Sequence, residues 1–424
     1  MGLGIQITAP LPQDFSIKRL VNSLMFSFHS GLDEILKPGI FVAPQEQARQ
    51  CLFYLYPAEE PLYANWDDTT LTISARTNGA GPGYHAWLVE RLETAEEKLG
   101  VKWNWLNNNG DPGDETGYHE HRDFERLRAE MSRWLRVTAG KLVNMSDEAS
   151  NIAISMPLEG SIVGGHFASS PMGFWDRDFF EQIVVARGAE IAASLAEQFF
   201  PWWHREQDAR FYKSLGLVHL WCNVPWRSPD TDEELETMKL ALKCFDKAKA
   251  LDMSVSVPEE EIAELKRIVA TAKADMPDVA PDPKRIGFKR HEAFIQLPGR
   301  WRIKIPGYFH SKYDPEKGTL TFWFGTRTIH LNAYGVEKYY PTLRDVLNWS
   351  EPEQGDTTEF AKDHLLGRAR LQHKKDGTMY GYWMLSGSMV MMDSVAVFTI
   401  CFDNRDDYEW ANVTWQTLYR PPQK

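Results

Sequence analysis

Three segments of the sequence hold residues whose types and spacing suit chemistry. The first is His119-Glu120-His121 with Asp123, preceded by Asp114 and Glu115. Histidines at i and i+2 on a loop or strand can face one divalent transition metal, with a carboxylate completing the shell, as a metal-dependent hydrolase requires. On a helix the same pair points about 200° apart and cannot share an ion. A metal set of His119, His121 and Asp123 therefore needs a helix that starts only after His121. The competing reading is a solvated first turn, with Glu120 and Asp123 favoured there by the helix dipole.

The second is Gly79-Ala80-Gly81-Pro82-Gly83, between a strand pattern and a helix pattern. In that context the amides of Gly79, Gly81 and Gly83 can cradle a phosphate. The match is incomplete: Pro82 removes a donor, Tyr84 stands where the dinucleotide fingerprint wants glycine, and no Lys-Ser/Thr pair follows. A tight strand-to-helix connection explains the same residues. The third is the glycine-flanked His166, followed by Ser169, Ser170, Asp176 and Asp178. Imidazole titrates near neutrality, so His166 is a candidate general base of a hydrolase, with Asp176 its carboxylate. No Gly-x-Ser-x-Gly elbow accompanies them, and residues this close in sequence seldom make a triad.

Sixteen tryptophans add a different capacity. Exposed aromatics anchor protein interfaces, whereas buried ones are core. Pro201-Trp202-Trp203-His204 interrupts a helical pattern and is expected to be partly exposed, which makes Trp202, Trp203 and His204 the candidate partner-binding residues. In the last third, His330, Arg327, His373 and Arg370 line one groove if their strands pair.

These residues must be positioned by a chain of 424 residues, a length that suits two or three domains. The clearest boundary is 274–284, ADMPDVAPDPK, whose three prolines can neither continue a helix nor join a central strand. Before it, 51–56, 70–75, 101–105, 151–157 and 217–222 have the composition of strands. Residues 86–99 place Leu88, Leu92, Ala95 and Leu99 on one helical face. Further helices are expected from about Glu120 to Val137, over 176–198, and after Thr231 and Pro258. Beyond the boundary, 301–305, 319–324, 327–334, 369–373, 379–385, 394–402 and 410–419 are rich in β-branched and aromatic residues, with one helix at 342–349. The expected architecture is an α/β (or α+β) region over 1–273, a linker over 274–284, and a smaller α+β domain on an antiparallel sheet over 285–424.

Composition narrows the function classes. Apolar residues make up 43% and charged residues 25%, which excludes a disordered or fibrous chain. Lys and Arg number 47 against 59 Asp and Glu, a net charge of −12 that disfavours nucleic acid and anionic membranes and favours a basic partner. Four cysteines in apolar runs, without paired spacing, suit a reducing compartment. The N-terminus lacks the pattern of a secretory signal, and no apolar run reaches membrane-spanning length, so a cytoplasmic location is expected. Two functions follow as expectations. One is a non-enzymatic, immunity- or adaptor-like interaction protein that needs no cofactor and binds a basic protein. The other is a hydrolase, with or without a divalent metal, acting near His119/His121 or His166.

Overall fold

The computed structural model describes residues 3–107, 109–145, 152–156, 161–162, 167–271, 285–351, 357–375 and 381–421. It forms two compact units. The first comprises the described residues of 1–158, 165–273 and 282–288, and the second those of 159–164 and 289–424. The expected linker lies outside the described residues.

The first unit opens with β1 (Gly4–Pro10), α1 (Ile17–His29), β2 (Phe41–Gln45), β3 (Gln50–Tyr54), β4 (Leu62–Trp66) and β5 (Thr70–Arg76). The five strands form one antiparallel sheet in the order β1-β5-β4-β3-β2. Period-two alternation puts Ile5, Ile7, Leu71 and Ile73 in the core. Helix α2 (Pro82–Leu99) buries Leu88, Leu92, Ala95 and Leu99, as their spacing predicts, and Gly100 closes it in the left-handed region at φ 68°. Phe28 of α1 packs its ring against Phe53 of β3 and Trp87 of α2.

Residues 101–105 are not a strand. Asn104 makes one isolated bridge to Thr8, and the buried Trp103 donates its indole N–H to the Leu92 carbonyl at 2.7 Å. The helix expected from Glu120 begins earlier and breaks. It runs as α3 (Tyr118–His121) and α4 (Phe124–Val143), with Arg122 between them at φ 53° and Asp123 capping α4.

Short strands follow: β6 (Ile152–Ala153), β7 (Ser161–Ile162), β8 (Ala168–Ser170) and β9 (Gly173–Trp175), of which β7 belongs to the second unit. Five helices complete the first unit: α5 (Arg177–Val185), α6 (Ala189–Phe199), α7 (Ala209–Val218), α8 (Asp232–Leu251) and α9 (Glu259–Ala270). The strand expected at 217–222 is instead the end of α7 and a π-helical turn, His219–Asn223. Leu220 and Cys222 are fully buried there, so the apolar run reports burial and not conformation. Thr231 caps α8 by accepting from the Glu234 amide at 3.2 Å. Thr231→Ala is expected to cost about 1 kcal/mol in urea unfolding, the usual worth of such a cap.

The second unit carries β10 (Glu292–Gln296) and β11 (Arg302–Pro306), which pair in the order β11-β10-β7. Its main sheet contains β12 (His310–Asp314), β13 (Thr319–Phe324), β14 (Arg327–Gly335), β15 (Thr357–Lys362), β16 (Leu365–Lys374), β17 (Tyr382–Met391) and β18 (Ser394–Phe402). All neighbours are antiparallel, in the order β12-β13-β14-β18-β17-β16-β15. Helix α10 (Leu343–Ser350) seats Val346 and Leu347 against Val390 and Val395 on one face. The other face holds Phe322, Leu331, Leu385 and Phe398 with Trp301 and Trp415.

Trp415 belongs to α11 (Tyr408–Gln416), where a strand is expected from sequence. Ala411, Trp415 and Leu418 are buried at i, i+4 and i+7, and Trp415 stacks on Phe398 at 5.2 Å. Strand register also separates the four basic residues expected in one groove. His330 and Arg370 share a sheet face through Thr399 and Ser386, while Arg327 and His373 lie on the opposite one.

Candidate functional site

The glycine-rich connection and the Pro-Trp-Trp-His segment, 120 residues apart in sequence, meet in the first unit. The Trp202 amide donates to the Ala80 carbonyl and the Gly83 amide to the Trp202 carbonyl, both at 2.9 Å. Trp202 packs among Tyr56, Tyr84, Trp87 and Phe211, with ring centroids 4.7–5.9 Å away. Both tryptophans are only 3% exposed. This corrects the expectation of a partly exposed aromatic pair: neither Trp202 nor Trp203 reaches the surface to anchor a partner. Only His204 remains half-buried.

The amides offered as a phosphate cradle are engaged within the fold. Glu59 Oε1 accepts from the Gly79 amide at 2.5 Å and the Ala80 amide at 2.7 Å, the Gly81 amide donates to Thr77, and the Gly83 amide to Trp202. A phosphate would have to displace the buried Glu59 side chain and two backbone carbonyls from them, which corrects that reading of Gly79, Gly81 and Gly83. Burial pushes the Glu59 carboxyl up to about 8, against the opposing pull of the Ala80 and Gly79 amides.

The histidine pair also enters the fold differently from a metal set. Tyr118–His121 is helical, so the condition for His119 and His121 to share an ion fails. His119 stacks on Trp105 at 3.7 Å and places Nδ1 3.2 Å from Glu93. His121 Nδ1 accepts from the Asp123 amide at 3.0 Å, and its Nε2 lies 3.3 Å from the Thr116 carbonyl. Asp123 spends Oδ1 on the Arg126 amide as the α4 cap. His166 lies outside the described residues, and Asp176 caps α5 by accepting from the Phe179 amide at 2.9 Å.

A titratable network that sequence reasoning missed stands at the start of α2. His85 is fully buried; its Nδ1 lies 2.9 Å from Thr77 Oγ1, and its Nε2 lies 3.1 Å from Asp114 Oδ1 and 3.0 Å from Thr116 Oγ1. Burial alone would raise the Asp114 carboxyl. The hydrogen bond and charge of His85, the His119 amide and the Thr116 hydroxyl outweigh it and hold that carboxyl well below the usual carboxylate range. Hydroxyl, imidazole and carboxylate here have the order of a nucleophile relay, but Thr77 is fully buried and no substrate can reach its oxygen. The network ties β5, α2 and the 107–117 loop together. Its residues are up to 39 positions apart (Thr77 to Thr116), and the only local signal is Asp114-x-Thr116, whose side chains form a turn.

One groove of about 450 Å³ opens beside the Pro-Trp-Trp-His segment. Half-buried Met172, Leu217 and Val255, with the buried rings of Phe200, Trp203 and Phe211 behind them, are among its apolar residues, and His204 and Lys213 among its polar ones. Glu197 lies there too, accepting from Arg210 at 2.7 Å with His204 Nε2 at 3.1 Å. Burial would raise the Glu197 carboxyl, and these two partners outweigh it and lower it. No protein-family model and no curated protein matches the chain.

Proposed function

We propose that the protein is a non-catalytic, cytoplasmic interaction protein, immunity- or adaptor-like, that engages a basic protein partner through its first unit. The observation that carries this reading is the placement of charge. Residues 1–284 hold 28 Lys and Arg against 43 Asp and Glu, a net −15, while residues 285–424 hold 19 against 16, a net +3. An acidic surface accelerates encounter with a basic one and sets its orientation.

Apolar anchors accompany that charge. Arg136 donates to the Ala186 carbonyl at 2.6 Å, drawing the middle of α4 to the end of α5. Val137, Val184 and Val185 are exposed there, and Ile191 is exposed at the start of α6. Four exposed aliphatic side chains on neighbouring helices supply what Trp202 and Trp203, being buried, do not. No helix among the described residues is long and apolar enough to cross a membrane.

The test is capture from native lysate on the immobilised full chain. A basic polypeptide should be retained at about 50 mM salt and released at about 500 mM, since exposed charge pairs are screened there. Val185→Glu should weaken the retained complex roughly tenfold or more, because it places a charge in the apolar anchor. Retention that is indifferent to salt, or retained proteins that are acidic, would overturn the reading.

A further inference from the structure

We infer that the groove beside Trp203 is a binding site for a small amphipathic anion, a monocarboxylate with an aliphatic or aromatic body. Its volume of about 450 Å³ falls in the range that encloses small ligands, roughly 300–1,000 Å³. Helix α7 turns Arg210, Lys213, Ser214 and Leu217 toward it. These stand at i, i+3, i+4 and i+7, one continuous stripe of the helix. The apolar surface open to a ligand is the half-buried Met172, Leu217 and Val255, backed by buried aromatic rings. Trp203 stacks on Phe200 with the rings 7° from parallel, and the Arg128 guanidinium sits 4.7 Å from the Trp203 ring centre. These rings are at most 3% exposed and fix the groove from behind, so an apolar body would lie on Met172, Leu217 and Val255.

The charges decide the sign of the ligand. Glu197, the groove's one carboxylate among the described residues, is already answered by Arg210 and His204. The Lys213 ammonium, half-buried on the same stripe, has no ion pair or hydrogen bond among the described residues, and neither has the neighbouring Ser214 hydroxyl. The uncompensated charge in the groove is therefore positive, in a region whose net charge is −15. A cation would be repelled and a neutral ligand would leave the ammonium unused. One ammonium with one hydroxyl suits the two oxygens of a carboxylate. The other cationic donors of the groove, Arg210 and His204, are already engaged by Glu197, so the groove lacks the free cationic array that a phosphate dianion takes up.

The proposal is independent of the partner reading above and is tested by titrating the full chain with octanoate, octanol and octylammonium, following tryptophan fluorescence and calorimetric heat. Octanoate should bind roughly tenfold tighter than octanol, the value of one charge-assisted contact, and octylammonium should not bind. Lys213→Gln, a change at a half-exposed position, should bring octanoate down to the octanol affinity and leave octanol unchanged. Ser214→Trp, which fills the groove, should abolish both while the thermal transition stays in place. No saturable binding of octanoate up to about 2 mM, equal affinity for octanoate and octylammonium, or an octanoate affinity that survives Lys213→Gln would each overturn the assignment.

Discussion

Gly83→Ala should destabilise the first unit by roughly 3 kcal/mol or more, the upper end of what overpacking costs. A Cβ built at Gly83 lies 2.2 Å from the His204 carbonyl oxygen and 2.2 Å from Trp202 Cδ1. One of those atoms is backbone, and the other belongs to a ring held by four aromatic neighbours, so no flexible side-chain end can yield. Relief requires moving the 201–204 segment away from α2. That motion breaks the Ala80–Trp202 and Gly83–Trp202 backbone hydrogen bonds, each worth about 1 kcal/mol. Gly140→Ala in α4 is the matched comparison. A Cβ there meets nothing within 4 Å, so the same substitution should stabilise by about 0.5–1 kcal/mol, the helix-propensity difference. Urea unfolding of both variants reads the two signs directly. A Gly83→Ala protein within about 1 kcal/mol of the parent would show that the two segments are not in close contact.

The close approach at Gly83 also explains which features were legible from sequence. Periodicity was informative where an element presents one face to one core. Leu88, Leu92, Ala95 and Leu99 marked α2, and 394–402 marked β18 between two strand neighbours. It failed where two periods fit the same residues. Within 410–419, two-residue alternation competes with the i, i+4, i+7 spacing of Ala411, Trp415 and Leu418, and the stacking of Trp415 on Phe398 chose the helix. The 217–222 run was buried in either conformation, and the Asp208 cap, which accepts from the Phe211 amide at 2.9 Å, was the overlooked sign of α7.

Sites were less legible than elements, because exposure is a property of what packs on top. The pair Trp202-Trp203 looks the same in sequence whether it faces solvent or Gly83. His119, His121 and Asp123 carry ligand chemistry by type, yet His119 faces Glu93 of α2, and His121 and Asp123 accept from amides at the start of α4. The Thr77–His85–Asp114 network has no local spacing for a motif to capture, since a sheet end, a helix start and a loop each contribute a member. Of the groove residues, Arg210, Lys213, Ser214 and Leu217 form one helical stripe on the side of α7 away from the buried Tyr212 and Leu215, whereas the rest come from segments that only the fold brings there.

Glu59→Gln should remove most of the pH dependence of stability between about pH 4.5 and 8. The Glu59 carboxyl titrates near 4.5 when unfolded and at about 8 when folded, because burial disfavours its charge. The sign follows from proton binding. Between those values the folded chain holds a proton that the unfolded chain has released, so stability falls as pH rises. The stabilising contribution is complete below about 4.5, decreases through the interval, and is gone above about 8. A difference of this size corresponds to roughly 4–5 kcal/mol over the full range. Glutamine keeps an oxygen for the Gly79 and Ala80 amides and carries no titrating proton. The variant should match the parent near pH 4.5 and exceed it by a few kcal/mol near pH 9. Other groups set a common background: the Asp114 carboxyl, held low, contributes stability that is lost on acidification, the opposite direction. The parent-minus-variant difference in urea unfolding therefore isolates Glu59. A flat difference across pH 5–9 would mean that the two amides keep the carboxylate charged inside the unit. Their hydrogen bonds would then outweigh burial, and the junction of the glycine-rich connection with Glu59 would be an anion site already filled by the chain itself.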